Sequence, residues 1–178
     1  MSITYKTGGN IVDESADALV NTVNCVGVMG KGVAAEFKKR FPDNFDKYAT
    51  ACSKNKIKPG EMFIVKTGLM FPGYIVNFPT KQHWRGGSKM QYIEDGLKDL
   101  VTKIKRRKVQ SIAMPPLGCG FGGLKWSEVR PLIEKSFEKM EGLDVTIFEP
   151  QDSPSDEFSY LEGDMEGTLG QAVMMEKG

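Results

Sequence analysis

Short apolar runs alternate along the chain with stretches in which apolar side chains return every three or four residues, the pattern of strands interleaved with helices. Ile3-Thr4-Tyr5-Lys6 is a short β-like run, and Ala18-Leu19-Val20-Asn21-Thr22-Val23 is nearly all apolar, as a strand covered on both faces would be. Val33, Phe37 and Phe41 recur at intervals of four with Ala34 beside them, which predicts one apolar helix face. Pro42 can open a second helix, because the first helical residue has no intrahelical use for its N–H; Phe45, Tyr48, Ala49 and Cys52 make the stripe. Met62-Phe63-Ile64-Val65 and Tyr74-Ile75-Val76 read as strands around a turn containing Pro72-Gly73. Ile93, Leu97, Leu100, Val101 and Ile104 mark the longest helix, and residues 109–114 the next strand, stopped by Pro115-Pro116. Ser127 reads as the N-cap of a last helix, with Val129, Leu132, Ile133, Phe137 and Met140 inward, Pro131 in its first turns and Gly142 at its end. Val145-Thr146-Ile147-Phe148 is the closing strand.

Strands alternating with helices predict a three-layer α/β/α sandwich around a mixed or mostly parallel sheet. In such sheets ligands bind beyond the carboxyl ends of the strands. Two glycine-rich loops begin at strand ends: Asn24-Cys25-Val26-Gly27-Val28-Met29-Gly30-Lys31-Gly32 follows Val23, and Pro115-Pro116-Leu117-Gly118-Cys119-Gly120-Phe121-Gly122-Gly123-Leu124 follows Met114. Between them lies Asn77-Phe78-Pro79-Thr80-Lys81-Gln82-His83-Trp84-Arg85. The domain is expected over residues 1–150. Periodicity fails after Pro150, and residues 151–178 read as an acidic tail or a linker cut from something longer, with Val173-Met174-Met175 as a weak docking element or an accidental cluster.

The 178 residues suffice for one domain with a real core. The net charge of +1 conceals an asymmetry: residues 151–178 carry seven acids and one base, net −6, which leaves +7 for the first 150. A basic body fits a polyanionic partner, although many small basic domains bind none. No apolar run approaches the roughly 18 residues that would cross a bilayer, so the cytoplasm is the expected compartment and a monomer the expected state. Three cysteines without CxxC spacing and a single histidine, His83, give no basis for a disulfide framework, a metal centre or a cofactor.

Glycines let a backbone turn sharply and present N–H groups to phosphate oxygens. Gly30-Lys31-Gly32 runs straight into the Val33 helix, whose first N–H groups can face a pyrophosphate. It is neither a Walker motif, which needs GxxxxGK[ST], nor a dinucleotide-binding GxGxxG. On glycine content alone a phosphate cradle and a tight connection both remain open.

The arrangement of Asn21-Thr22-Val23-Asn24 at a strand end and Gly30-Lys31-Gly32-Val33-Ala34 at a helix start resembles the macrodomain family, over residues 3 to about 148. Within it, Asn77-Phe78-Pro79-Thr80-Lys81 and Pro115-Pro116-Leu117-Gly118-Cys119-Gly120 resemble the DarG branch, antitoxins that remove ADP-ribose from DNA and so reverse a DarT-type toxin; the human terminal ADP-ribose glycohydrolase is related in this pattern. The resemblance implies a macrodomain sandwich with a mixed sheet, ADP-ribose as ligand or product, ADP-ribosylated DNA as substrate and a DarT-like toxin as partner. By position it implies ligand contacts from Asn10, Ile11, Asn24, Gly30, Lys31, Gly32, Val33, Thr80, Gly118, Cys119, Gly120, Phe121 and Gly122. Asn10 stands where the family carries an acid toward adenine, so that contact loses its charge. Ala34 and Gly122 stand where hydrolytic relatives carry aspartates, which leaves Lys81 as the catalytic group this branch implies.

The reaction so implied is hydrolysis of the N-glycosidic bond between a nucleobase and the anomeric carbon of ADP-ribose, a carbon that becomes oxocarbenium-like as the bond breaks. A lysine can serve as nucleophile or imine-former when neutral and as acid when charged. Apart from the resemblance, Lys81 reads as a solvated loop lysine. His83, Trp84 and Arg85 are candidate DNA contacts, Trp84 by stacking on a base and Arg85 by pairing with a phosphate, or else parts of the local structure. Lys103, Lys105, Arg106, Arg107 and Lys108 end the long helix, where cations complement its dipole or could track a nucleic-acid backbone. A non-catalytic ADP-ribose-binding module, or a hydrolase of another ADP-ribose derivative such as an acylated one or a protein adduct, remains as an alternative.

Overall fold

The computed structural model describes residues 1–150; the acidic-tail reading and the 173–175 cluster lie outside the described residues. Six strands form one sheet: β1 (Ser2–Lys6), β2 (Ala18–Val23), β3 (Phe63–Lys66), β4 (Tyr74–Pro79), β5 (Ser111–Met114) and β6 (Asp144–Phe148). Their order is β1-β6-β5-β2-β4-β3, and every pairing is parallel except that of β3 with β4. The sheet is therefore mixed, with one antiparallel edge strand.

Four helices cover it: α1 (Gly32–Arg40), α2 (Pro42–Ser53), α3 (Met90–Arg106) and α4 (Trp126–Phe137). Side chains alternate across a strand, so β2 sends Ala18 and Val20 into the cluster beneath α3 and α4, and Leu19 into the one beneath α1. That two-sided burial explains why β2 reads as a continuous apolar run. Helix α3 sits close on β4 at Gly96: a Cβ there would come within 2.4 Å of the Phe78 ring. Only glycine allows this approach, which is why a helix interior tolerates it despite its cost of about 1 kcal/mol in propensity.

The last helix departs from its expected bounds. It starts at Trp126 after Lys125, so Ser127 lies inside it rather than capping it, and Pro131 falls beyond the first turn. It ends at Phe137; Gly142, with φ +72°, turns the following connection instead. Met140 is still buried, in that connection rather than on the helix. The apolar spacing carried past the helix end because a tight turn can bury a side chain as well as a helix can.

Candidate functional site

Strands β5, β2 and β4 are neighbours and run parallel, so their three carboxyl ends lie side by side. The two glycine loops and the Lys81 segment leave from these ends. Pairing also continues beyond the strands: Thr80 N–H donates to Val23 O and Cys25 N–H to Gln82 O, each at 2.9 Å. Sheet order alone thus brings together three segments distant in sequence.

A cavity of about 400 Å³ opens between them. The first loop and the start of α1 contribute Asn24, Val28, Gly30, Lys31, Gly32, Val33 and Ala34; the central segment contributes Thr80, Lys81 and Trp84; the second loop contributes Pro115, Pro116 and residues 118–122. Two cations and no carboxylate line it. Asn10 and Ile11 lie apart from this lining: the Asn10 amide donates to Glu36 at 3.2 Å and its oxygen accepts from Val12 N–H at 3.3 Å, while Ile11 is buried beneath α1. A carboxylate therefore does stand beside Asn10, supplied by α1, and no sequence spacing revealed it.

Lys81 is the centre of the arrangement. Its Nζ donates to Trp84 O at 3.2 Å and to Phe121 O at 3.3 Å, joining its own segment to the second loop. Burial, and then the charge of Lys31, lower its pKa from 10.5 to about 8. Two carbonyls would match the two N–H bonds of the amine in its neutral form. Ser88 braces the same joint, donating its N–H to Gly122 O at 2.8 Å and its hydroxyl to Thr80 O. The loops meet across the cavity, since a Cβ on Gly32 would lie 3.1 Å from the Phe121 ring. Gly32, at φ +60°, also needs its missing side chain for that backbone.

Asn24 is buried and its polar atoms shape the first loop: Nδ2 donates to Val28 O at 2.8 Å, and Oδ1 accepts from Val26 N–H at 3.0 Å. Behind it Tyr48, fully buried on α2, anchors the residue from below. Deeper still, Asn77 exchanges hydrogen bonds with Asn44 and accepts from Asn21, whose amide also reaches Met29 Sδ. In the sequence Asn21 and Asn77 figured only as members of the motifs that carry the resemblance, and nothing in the spacing singled out Asn44. Among the described residues, Asn21 Oδ1 alone is a buried side-chain polar atom without a hydrogen-bond partner.

His83, Trp84 and Arg85 form a small stack at the cavity edge. His83 lies 5.4 Å from the Trp84 ring at 30°, and the Arg85 guanidinium is 4.7 Å over that ring. Trp84 lines the cavity, whereas His83 and Arg85 are exposed outside it. The His83 Nδ1 accepts from Arg85 N–H at 3.1 Å, which leaves Nε2 outward. Cys25, within the first loop, packs against the cluster of Met29, Tyr48 and Cys52, and burial pushes its thiol up to about 11, the wrong direction for a thiolate nucleophile. No cluster of three or more His, Cys, Asp or Glu among the described residues could hold a metal ion, and no helix among them is long and apolar enough to cross a membrane.

Fold and cavity together define a macrodomain. The family described as Macro domain matches residues 20–133, and the chain belongs to it. It is 52% identical over 147 residues to the DNA ADP-ribosyl glycohydrolase of Thermus aquaticus, covering 82% of this chain and 41% of that protein. The macrodomain of Mycobacterium tuberculosis DarG superposes with a TM-score of 0.81 at 47% identity, over 83% of this chain and 97% of that one. Thermosipho africanus DarTG, solved in complex with ADP-ribose, gives a TM-score of 0.76 at 32% identity, over 88% of this chain and 44% of that one. More remote is the human ADP-ribose glycohydrolase OARD1, 25% identical over 146 residues, 82% of this chain and 90% of that protein. The chain spans about half or less of the length of the DNA ADP-ribosyl glycohydrolases it matches.

Proposed function

We propose that this chain is a hydrolase that removes ADP-ribose from a nucleobase of single-stranded DNA, with Lys81 as its catalytic group. The observation that carries the reading is the state of Lys81: a half-buried amine of lowered pKa, held by two carbonyls in a cavity lined by no carboxylate. The neutral nitrogen attacks the anomeric carbon as the bond to the nucleobase breaks, and the proton released from the nitrogen passes to the departing base. Water then cleaves the resulting glycosylamine through its ring-opened imine, returning the amine and free ADP-ribose. The glycine loops hold the diphosphate by their N–H groups and Lys31 faces its charge.

Two relatives support the substrate: the Thermus protein named DNA ADP-ribosyl glycohydrolase and the Thermosipho structure containing ADP-ribose. A Thermosipho relative, 34% identical over 158 residues, is named as a fusion of a DNA ADP-ribosyl transferase with a DNA ADP-ribosyl glycohydrolase, which supports a DarT-type toxin as functional partner. The chain would then act as antitoxin and as a DNA-repair activity in the cytoplasm, as a monomer.

The test is release of ADP-ribose from a mono-ADP-ribosylated single-stranded oligonucleotide by wild type and Lys81→Ala, with borohydride trapping. Turnover and a trapped adduct at residue 81 are expected for wild type only, with ADP-ribose binding kept in the variant. Full turnover by Lys81→Ala sinks the assignment. One observation favours a second reading, a binding module without catalysis: neither Ala34 nor Gly122 supplies a carboxylate to activate water. ADP-ribose binding by wild type without release from any adduct would establish it.

A further inference from the structure

At the opposite end of the sheet, the last turn of α3 and the β3–β4 hairpin enclose a groove lined by Ile64, Lys66, Tyr74, Arg106, Arg107 and Lys108. Four cations meet there without a carboxylate in the lining, and none is ion-paired among the described residues. The Arg107 guanidinium lies 5.9 Å over the Tyr74 ring. Next to the groove the hairpin tip exposes three consecutive apolar side chains, Leu69 at 56%, Met70 at 82% and Phe71 at 52%. The cavity described above uses none of these residues.

We propose that this groove holds the phosphate backbone of the single-stranded DNA flanking the modified base, with Phe71 offering its ring to an unpaired base. The proposal rests on the reading of the site as one that acts on DNA. Cations that lack carboxylate partners complement a run of phosphates, and an aromatic beside a basic groove is what single-stranded nucleic acid uses. The apolar tip is three residues, far less than the roughly 800 Å² per partner of a stable protein interface, whereas one base needs only one ring face. Strand β4 links the two places. It runs from Tyr74 at the groove toward Lys81, seven residues on, roughly 23 Å at about 3.3 Å per residue. At about 3.4 Å per stacked nucleotide, roughly seven nucleotides bridge that distance.

The experiment measures binding of an unmodified single strand of about 20 nucleotides to the wild type and to a Lys66→Gln, Arg106→Gln, Lys108→Gln triple variant across a salt series, which needs no turnover. All three residues are exposed, so the fold is kept. The triple variant is expected to bind at least tenfold more weakly at low salt. Its slope of log affinity against log salt should be smaller by about 2, at about 0.7 per lost phosphate contact. Phe71→Ala should weaken DNA several-fold at unchanged slope. On modified substrates, the triple variant should raise KM for the long strand and leave a modified trinucleotide unaffected. An unchanged slope and affinity would overturn the proposal. Polyglutamate that binds as tightly as DNA, and is lost in the same variant, would overturn it in favour of an acidic protein segment. Loss of DNA binding in the triple variant when the wild type shows no hydrolysis would uphold the groove while removing the catalytic reading.

Discussion

The buried Tyr48 hydroxyl reaches both oxygens of Asn24, its backbone carbonyl at 2.9 Å and its side-chain oxygen at 2.8 Å. One residue of α2 thereby fixes the origin of the first glycine loop. Tyr48→Phe keeps the ring and deletes the hydroxyl's contacts with Asn24 and with Gly27 and Cys52. It should lower unfolding stability by about 1–3 kcal/mol, the cost of a buried acceptor left without its donor. ADP-ribose affinity should also fall, which denaturant melts and calorimetric titration would measure; unchanged values for both would show that the loop does not depend on Tyr48.

The proposed role of Lys81 carries a pH dependence. A group that must be neutral, with a pKa of about 8, gives a rate that rises through that pH and levels above it. Lys31→Gln removes the neighbouring positive charge, so the midpoint should move upward. A profile that instead falls through the same region would make the lysine an acid.

Stability should respond in a defined direction. Folding lowers this amine's pKa from 10.5 to about 8, so between those values the unfolded chain holds more protons on it, and stability contributed by the group rises with pH across that window. Below about pH 8 the full cost of burying the charge is present. Lys81→Met removes the titration, so its Tm relative to wild type should decline as pH is raised from neutral to about 10.5. A constant difference across scanning-calorimetry runs would contradict the lowered pKa.

Ser88 holds the Lys81 segment and the second loop together without lining the cavity. Ser88→Ala should reduce kcat by about tenfold while the ADP-ribose Kd changes little, because misplacing a reacting group costs rate more than ground-state binding. Ser88→Thr, which keeps the hydroxyl, should recover part of the loss. Equal losses in kcat and affinity would make Ser88 merely structural.

Gly96→Ala would push a methyl into the Phe78 ring. Overpacking of this kind costs about 1–3 kcal/mol, visible as a lower urea midpoint, with kcat of the folded protein intact.

Among the described residues, the apolar pattern revealed the six strands and the four α-helices, because apolar spacing records which face of an element packs inward. It misplaced the ends of α4, where Met140 is buried from a turn and Lys125, not Ser127, precedes the first helical residue. Glycine content and position at strand ends placed both loops at one edge, the resemblance singled out Lys81, and the sheet order gathers the three segments. The contacts of Ser88 with Thr80 and Gly122, of Tyr48 with Asn24 and of Glu36 with Asn10 left no trace in spacing. They join residues from different elements, and a single serine, tyrosine or glutamate has no period.

The tie from Lys81 to Trp84 and Phe121 uses both hydrogens of a neutral amine. A nitrogen that bonds to the anomeric carbon surrenders one of them, so reactant and latch are the same atom. The covalent step would then break one of the two ties while the Ser88 contacts hold the joint, loosening the second loop, and hydrolysis would restore it. Borohydride-trapped enzyme should show faster amide exchange over residues 118–123 than the ADP-ribose complex does; equal rates would separate the chemistry from the opening.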